Sequence, residues 1–220
     1  MADPKTVVSW SGGKDAAYAL LELGTDSVAE LLTTISENGR SSMHGVRREL
    51  YEKRAESIGL PIRFVELPLA CSNEEYESRM ANVMAEYESR GIDRVAFADL
   101  YLEDIRRYRE YRLEKTSIDG CWPVWNPNTE EQIESFLDAG FRATVVAVDD
   151  SLLDSSFVGR ELDPAFLADL PRDIDPCGKN GEFHTFVRDG PIFDSSISVE
   201  DGKTVTREVG DGEFHYCDLR

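Results

Sequence analysis

The sequence predicts a doubly wound, Rossmann-like α/β fold: a parallel sheet with helices on both faces, followed by a smaller mixed α+β region. Three observations predict it. Short apolar runs alternate with helical patterns from residue 5 to about residue 148, the rhythm of parallel strands joined by right-handed crossovers. A glycine turn, Ser11-Gly12-Gly13-Lys14-Asp15, joins the first apolar run to the first helical pattern. Beyond about residue 150 the rhythm breaks, with Pro164, Pro171, Pro176 and Pro191 set among many Asp and Gly residues. We place the boundary after residue 125, giving regions 1–125 and 126–220.

Residues 5–10 read as a first strand, apolar enough to be buried on both faces. Residues 16–23 read as a helix that Gly24 stops. Residues 29–36 form a second strand, ending in Glu37-Asn38-Gly39. Residues 46–58 are helical, closed by Gly59 and Pro61. Residues 62–67 are a third strand. Asn73 is placed to cap the next helix, whose Tyr76, Met80, Val83, Met84 and Tyr87 share one face and read as core. A fourth strand covers 94–98, a charged helix 104–118, and a short extended piece 122–125. Thr129 caps a helix running to Ala139, and 143–148 is a further strand. Residues 197–199 and 204–209, around Asp201-Gly202, read as a hairpin. Gly-Glu-Phe-His occurs at 181–184 and again at 212–215, too short a match to be a repeat.

With 41% apolar and 10% aromatic residues in 220, the chain is globular. No apolar run approaches the ~20 residues of a membrane span, so no membrane partner is expected. Met1-Ala2-Asp3-Pro4-Lys5 lacks signal-peptide architecture, which makes a cytoplasmic location the default. The net charge of −19 repels nucleic acid and anionic lipid, so a nucleic-acid partner is not expected. Lysine occurs only at Lys5, Lys14, Lys53, Lys115, Lys179 and Lys203. Such an acidic, lysine-poor surface suits a salt-adapted host or an ordinary acidic protein of the cytosol. Cys71, Cys121, Cys177 and Cys217 are far apart with no C-x-x-C spacing, as expected of reduced thiols rather than a zinc site.

The turn at residues 11–15 carries the chemistry. A strand, a glycine turn and a helix aim backbone N–H groups and a positive helix end at a phosphate. Gly12 and Gly13 admit positive φ and close approach of an anion. Ser11 can donate to a phosphate oxygen, Lys14 can neutralise a β- or γ-phosphate, and Asp15 beside phosphate suggests Mg²⁺ as a bridge. The loop is not G-x-x-x-x-G-K-[ST], because Asp15 stands where that motif needs a hydroxyl, nor is it G-x-G-x-x-G. It resembles the PP-loop of the ATP pyrophosphatases, which implies a HUP-type sheet and cleavage of ATP between the α- and β-phosphates. Ala16 departs from the Ser or Thr common there.

Further segments narrow the resemblance: Met43-His44-Gly45, Phe97-Ala98-Asp99-Leu100, Leu102 to Glu110, Pro123-Val124-Trp125, Asp175-Pro176-Cys177-Gly178-Lys179-Asn180-Gly181-Glu182-Phe183-His184-Thr185, and Asp189-Gly190-Pro191-Ile192-Phe193. Together these resemble the diphthine–ammonia ligase family over residues 5 to 195. Ala98 stands where that pattern has Gly, Val124 where it has Leu, and Lys179 where it has Glu.

The resemblance implies an amide ligase. A carboxylate is adenylated by ATP with release of pyrophosphate, ammonia displaces AMP, and the acceptor is elongation factor 2 carrying diphthine. Lys14, Asp15, Asp99, Glu182 and His184 are the implied catalytic residues. Ser11, Gly12, Gly13, Lys14, Asp15 and His44 are expected to hold the nucleotide, and Glu103, Trp125, Asp175, Cys177, Gly178 and Thr185 the substrate. A magnesium ion is expected at Asp15 and Asp99. Asp175 and Glu182 form a candidate ammonium site with His184 as base. The residues alone leave alternatives open: His184 orders its loop, Asp99 caps a helix, Cys177 is a small buried thiol, and Trp125 is a core indole.

Overall fold

The computed structural model describes residues 4–200, 202–209 and 212–220. Five parallel strands form the first sheet: β1 (Thr6–Ser9), β2 (Val28–Ser36), β3 (Ile62–Leu67), β4 (Arg94–Ala96) and β5 (Asp119–Cys121), in the order β3-β2-β1-β4-β5. The helices between them are α1 (Lys14–Leu23), α2 (Arg48–Ile58), α3 (Asn73–Ser89) and α4 (Glu103–Leu113). The chain thus leaves β1 in one direction and returns to β4 on its other side. A doubly wound sheet binds its ligand at that switch point, off the carboxyl ends of the strands.

The apolar run of β1 serves two cores. Val8 and Trp10 pack with Ala16, Ala17 and Leu20 of α1 and Leu50, Tyr51 and Ala55 of α2. Val7 faces the other way, with Leu32 and Val95 and with Val83, Met84 and Tyr87 of α3. The stripe expected on α3 is therefore core.

The second sheet is antiparallel, in the order β7-β6-β9-β8, from β6 (Arg142–Asp149), β7 (Phe183–Asp189), β8 (Thr204–Val209) and β9 (Gly212–Cys217). Helices α5 (Thr129–Asp138) and α6 (Pro164–Asp169) accompany it. Val145, Val146 and Val148 of β6 and Phe183, Phe186 and Val187 of β7 belong to the same apolar cluster as Val8 and Leu20. One core thus joins the two sheets and fixes β7 against the loop that follows β1. The Val187 N–H donates to the Gly12 carbonyl at 3.2 Å.

Several elements differ from the sequence reading. The fourth strand ends at Ala96, so Ala98 and Asp99 lie in the loop beyond it. The fifth strand of the first sheet is Asp119–Cys121, not 122–125. Helix α4 stops at Leu113, where the Thr116 N–H and hydroxyl both turn back to the Leu113 carbonyl. Caps fall one residue earlier than expected. The Ser72 hydroxyl accepts from the Glu75 N–H and the Asn128 side chain from the Glu131 N–H, each at 3.2 Å. The strand read at 143–148 is β6 of the second sheet. Residues 197–199 are not a strand; β8 pairs instead with β9, and both Asp201 and the Gly210-Asp211 connection lie outside the described residues. Met1, Ala2 and Asp3 lie outside them too.

Candidate active site

The turn after β1 forms one wall of a cavity of about 230 Å³ at the carboxyl ends of the parallel strands. Ser11, Gly13, Lys14 and Asp15 line it from the turn, His44 from the loop after β2, and Ala98, Asp99, Leu100 and Leu102 from the loop after β4. The second sheet closes it with Gly178, Lys179, Gly181, Phe183, His184 and Thr185. Residues from four separate stretches, 11–15, 44, 98–102 and 178–185, therefore meet in one place.

The turn is tightly held. Gly12 has φ +76°, a conformation that disfavours a side chain. A Cβ on Gly13 would lie 3.0 Å from His44 Nε2, so this backbone also faces close neighbours. The Gly13 N–H donates to Ser11 Oγ (3.2 Å) and the Lys14 N–H to Thr185 Oγ1 (3.0 Å). Each hydroxyl accepts from the main chain and keeps its own hydrogen for an anion in the cavity. The Tyr51 hydroxyl donates to the Ser11 carbonyl at 2.7 Å.

Lys14 is only 5% exposed, and its Nζ lies 2.8 Å from Asp15 Oδ2. Burial opposes the ammonium charge, but the Asp15 carboxylate beside it outweighs that, and the Lys14 pKa stands above its ordinary value. Both histidines stay neutral. Burial, then the charge of Lys14, push the His184 ring down to about 4, with Glu182 opposing. Burial, His184, Arg54 and Lys14 hold His44 well below the usual imidazole range. The two rings sit 4.8 Å apart, and His184 Nε2 is shut off from solvent with no protein partner among the described residues.

Asp99 is gripped by Arg109 of α4 through two hydrogen bonds (2.6 and 3.0 Å) and receives the Trp122 indole N–H at 3.2 Å. It is not a helix cap. Asp15 and Asp99 share the cavity wall, but each already faces a cation, Lys14 and Arg109. Among the described residues no three His, Cys, Asp or Glu side chains converge as a cation site. Two carboxylates already facing cations would offer Mg²⁺ few free oxygens. The donor set of the turn, by contrast, fits a polyphosphate: an ammonium, two hydroxyls and a helix N-terminus.

Other expected residues take different places. Glu182 does not line the cavity. Its carboxylate accepts from the Asn180 N–H (2.8 Å), the Asn180 side-chain amide (2.9 Å) and the Asp175 N–H (3.4 Å). Asp175 is likewise absent from the wall. It accepts from the Cys177 N–H and the Thr129 hydroxyl, and its Oδ2 pairs with Lys179 Nζ at 3.0 Å. The two carboxylates thus tie down the 175–182 loop and do not converge on a shared cation. Cys177 is buried behind that loop with its thiol directed to the Thr129 carbonyl, and burial pushes its pKa up to about 12. Gly178, at φ +63°, turns the loop where a Cβ would strike the Phe183 carbonyl at 2.8 Å. Glu103 opens α4 outside the cavity wall, and the Trp125 ring lies 5.0 Å beneath the Arg106 guanidinium. Lys179 reaches the cavity from the mouth of the loop, over the Tyr101 ring at 4.4 Å.

Sequence reasoning missed Arg109 and Arg54. Nearly two turns of α4 bring Arg109 back to Asp99. Arg54 lies beneath the turn, with Nη2 donating to the Gly12 carbonyl at 2.6 Å. Its signal was its place in the 50, 51, 54, 55, 58 stripe of α2, which is the buried face.

Among known proteins the chain is similar to the diphthine–ammonia ligase of Bos taurus, with 23% identity over 90% of this chain and 84% of the relative. The Homo sapiens diphthine–ammonia ligase gives 23% identity over 89% of this chain and 82% of that protein. The Schizosaccharomyces pombe one gives 24% over 96% of this chain but 38% of its own length. A solved structure, the U34-tRNA thiolase NcsA of Methanococcus maripaludis, aligns with a TM-score of 0.38 and 14% identity over 62% of this chain and 57% of its own, too loose a likeness to carry weight. With the model of the diphthamide synthase N-terminal domain matching residues 4–117 and that of its C-terminal domain matching residues 128–216, the chain belongs to the diphthamide synthase family of ligases.

Proposed function

We propose that this chain is an AMP- and pyrophosphate-forming amide ligase whose acceptor is diphthine on elongation factor 2. The acceptor follows from the names of its relatives. The observation that carries the chemistry is the convergence of a buried lysine, two hydroxyls and two neutral imidazoles at the strand switch point.

An acceptor carboxylate oxygen attacks the α-phosphorus of ATP, the bond to the bridging oxygen of the β-phosphate breaks, and pyrophosphate leaves. Ammonia then attacks the acyl carbon, AMP leaves, and one proton is released as the amide forms. Lys14 and the hydroxyls of Ser11 and Thr185 neutralise charge on the departing pyrophosphate, where charge develops during the first step. A magnesium ion would be held mainly by the triphosphate and water, where it would neutralise phosphate charge.

His184 takes a different role from the base expected of it. A ring with a pKa of about 4 is too weak to strip ammonium. Ammonia arrives neutral, and the ring instead lines the cavity as a neutral imidazole. Asp175 and Glu182 build the loop that presents it. Regions 1–125 and 126–220 supply opposite walls, and the reaction takes place in the cytoplasm.

The test is to incubate the protein with ATP, magnesium, ammonium and diphthine-bearing elongation factor 2, and to measure AMP and pyrophosphate. Release dependent on both acceptor and ammonium supports the reading. ATP binding without AMP under any of these conditions makes the chain a nucleotide-binding module instead. AMP formed with tRNA in place of the factor moves the acceptor to RNA.

A further inference from the structure

Arg54 is a fully buried cation beside the cavity that the proposed chemistry leaves unused. It is 0% exposed, on the inner face of α2. Its guanidinium carbon lies 4.9 Å from the centre of the Trp10 ring, 4.5 Å from Phe186 and 5.9 Å from Tyr51. Among the described residues no carboxylate pairs with it, and Nε and Nη1 have no hydrogen-bond partner. Of the other buried charges, Lys14 is paired with Asp15 and Glu30 with Arg90, while Glu182 is held by three neutral N–H donors. Aromatic faces offset part of the desolvation of a guanidinium, but not all of it. Burial accordingly lowers its pKa to about 9, with Tyr51 opposing, which leaves it charged at neutral pH.

Its single hydrogen bond shows where the charge acts. Nη2 donates to the Gly12 carbonyl at 2.6 Å. In a trans peptide the C=O and the following N–H point opposite ways, and the structure contains no cis peptide bond among the described residues. Gripping the Gly12 oxygen from below therefore turns the Gly13 N–H up toward the cavity wall. That N–H meets Ser11 Oγ, which also lines the cavity. Guanidinium, peptide and hydroxyl form a line of donors, each polarising the next. A Cβ on Gly12 would lie 2.2 Å from Arg54 Nη1, so the guanidinium is in direct contact with the turn.

The geometry points to Arg54 as a positioning residue for the pyrophosphate end of the nucleotide: it supplies a fixed positive charge beneath the turn, matched only when a polyphosphate occupies the cavity, and through the Gly13 N–H it orients the Ser11 hydroxyl toward that anion. This rests on the ATP-ligase reading and deepens it, since it names the buried group that makes the turn selective for polyphosphate. It also sets an unusual expectation. Removing an uncompensated buried charge in favour of an apolar side chain of similar length is neutral or favourable for folding, while anion binding weakens.

Calorimetric titration with pyrophosphate, ATP and adenosine, together with ligand-free melting, tests this on wild type, Arg54→Met and Arg54→Lys. Arg54→Met is expected to weaken pyrophosphate and ATP by at least about tenfold. Adenosine affinity stays within about twofold, and the melting temperature does not fall. Arg54→Lys keeps a charge and holds pyrophosphate within about threefold of wild type. The proposal is overturned if Arg54→Met binds pyrophosphate like wild type. It is also overturned if that variant loses adenosine by the same factor, or if it melts well below wild type or fails to fold, for then Arg54 is a brace for the turn. If wild type itself binds neither ATP nor pyrophosphate, the ligase reading falls first, and that outcome is separate from any difference among the variants.

Discussion

Replacing Gly12 with Ala sets two physical costs against each other in one measurement. The first is backbone strain. Gly12 has φ +76°, and an L-residue there loses roughly 1–2 kcal/mol. The second is displacement of a buried cation. The new Cβ would lie 2.2 Å from Arg54 Nη1 and 3.0 Å from its Cζ, so the guanidinium must retreat and release the Gly12 carbonyl. A hydrogen bond to a charged group is worth about 1.5–3 kcal/mol. The expected loss is therefore about 3–5 kcal/mol, or roughly 6–20 °C in melting temperature for a chain of this size. Gly59→Ala is the control, because Gly59 has φ +78° but nothing within 4 Å of a Cβ. That variant should lose only the strain, about 1–2 kcal/mol. Differential scanning calorimetry of both variants, each with and without Arg54→Met, separates the two costs. In the Met background the Gly12→Ala penalty should shrink toward that of Gly59→Ala. Equal penalties at Gly12 and Gly59, unchanged by the background, would refute the steric and electrostatic reasoning together.

Lys14→Met removes the cavity ammonium while keeping the packing of its stem. Its kcat/KM for AMP formation should fall about 10²–10³-fold with melting little changed, as steady-state kinetics would read. Asp99→Asn leaves Arg109 without its carboxylate at a half-buried site, and should cost roughly 1–3 kcal/mol of stability in a urea titration. Stability should also decline as pH falls. His184 titrates near 4 folded and near 6.5 unfolded, so the unfolded chain binds the extra proton between those values. Its contribution is whole above about 6.5 and gone by about 4, roughly 3 kcal/mol in all. His44, shifted in the same direction, adds to it. A His184→Asn variant should show a flatter fall in urea midpoint across that window; an unchanged slope would mean the ring is not buried neutral.

Much of the first sheet was legible because its strands carry the signal that periodicity detects. Val7 and Val8 face opposite cores, which an unbroken apolar run implies. The Val83, Met84 and Tyr87 stripe needed only helical spacing. Strand β5 was missed because Asp119, Gly120 and Cys121 have almost no strand propensity, and their pairing with β4 is set by the sheet edge. Strand β7 was hidden because its first residues, 183–185, end a glycine-rich motif that reads as loop. The hairpin falls elsewhere because residues 212–217, read in sequence only as a Gly-Glu-Phe-His match, form β9, which pairs with both β6 and β8. Of the residues expected at the site from the turn motif and the family resemblance, Ser11, Gly13, Lys14, Asp15, His44, Asp99, His184 and Thr185 line one cavity. Asp175 and Glu182 look the same in sequence. What separates them is local: each carboxylate curls back to main-chain N–H groups a few residues away. Arg54 escaped because a sequence reading assigns an arginine on a charged helix to solvent. Its place in the apolar stripe of α2 points inward, and the packing of Trp10 and Phe186 around it shows the burial.

The same positive field that suits the turn to phosphate sets the order in which the proposed substrates arrive. Lys14 and Arg54 lower His44, and Lys14 lowers His184, so without nucleotide the cavity is a poor place for any further cation, ammonium included. Glu182 and Asp175 oppose this only in part, and their oxygens already answer Lys179, Thr129 and the loop backbone. A bound triphosphate supplies the missing negative charge beside Lys14, so ammonium then collects at the cavity mouth, loses its proton to solvent, and enters as neutral ammonia. Nucleotide binding first, ammonia second, follows from charge alone. It also guards the chemistry, since the nitrogen nucleophile is drawn in only once there is an acyl group about to be activated. Ammonium at concentrations that saturate turnover should therefore leave the nucleotide-free protein's melting temperature unmoved and raise it once a non-hydrolysable ATP analogue is present. An equal rise without the analogue would place the ammonium site outside this field.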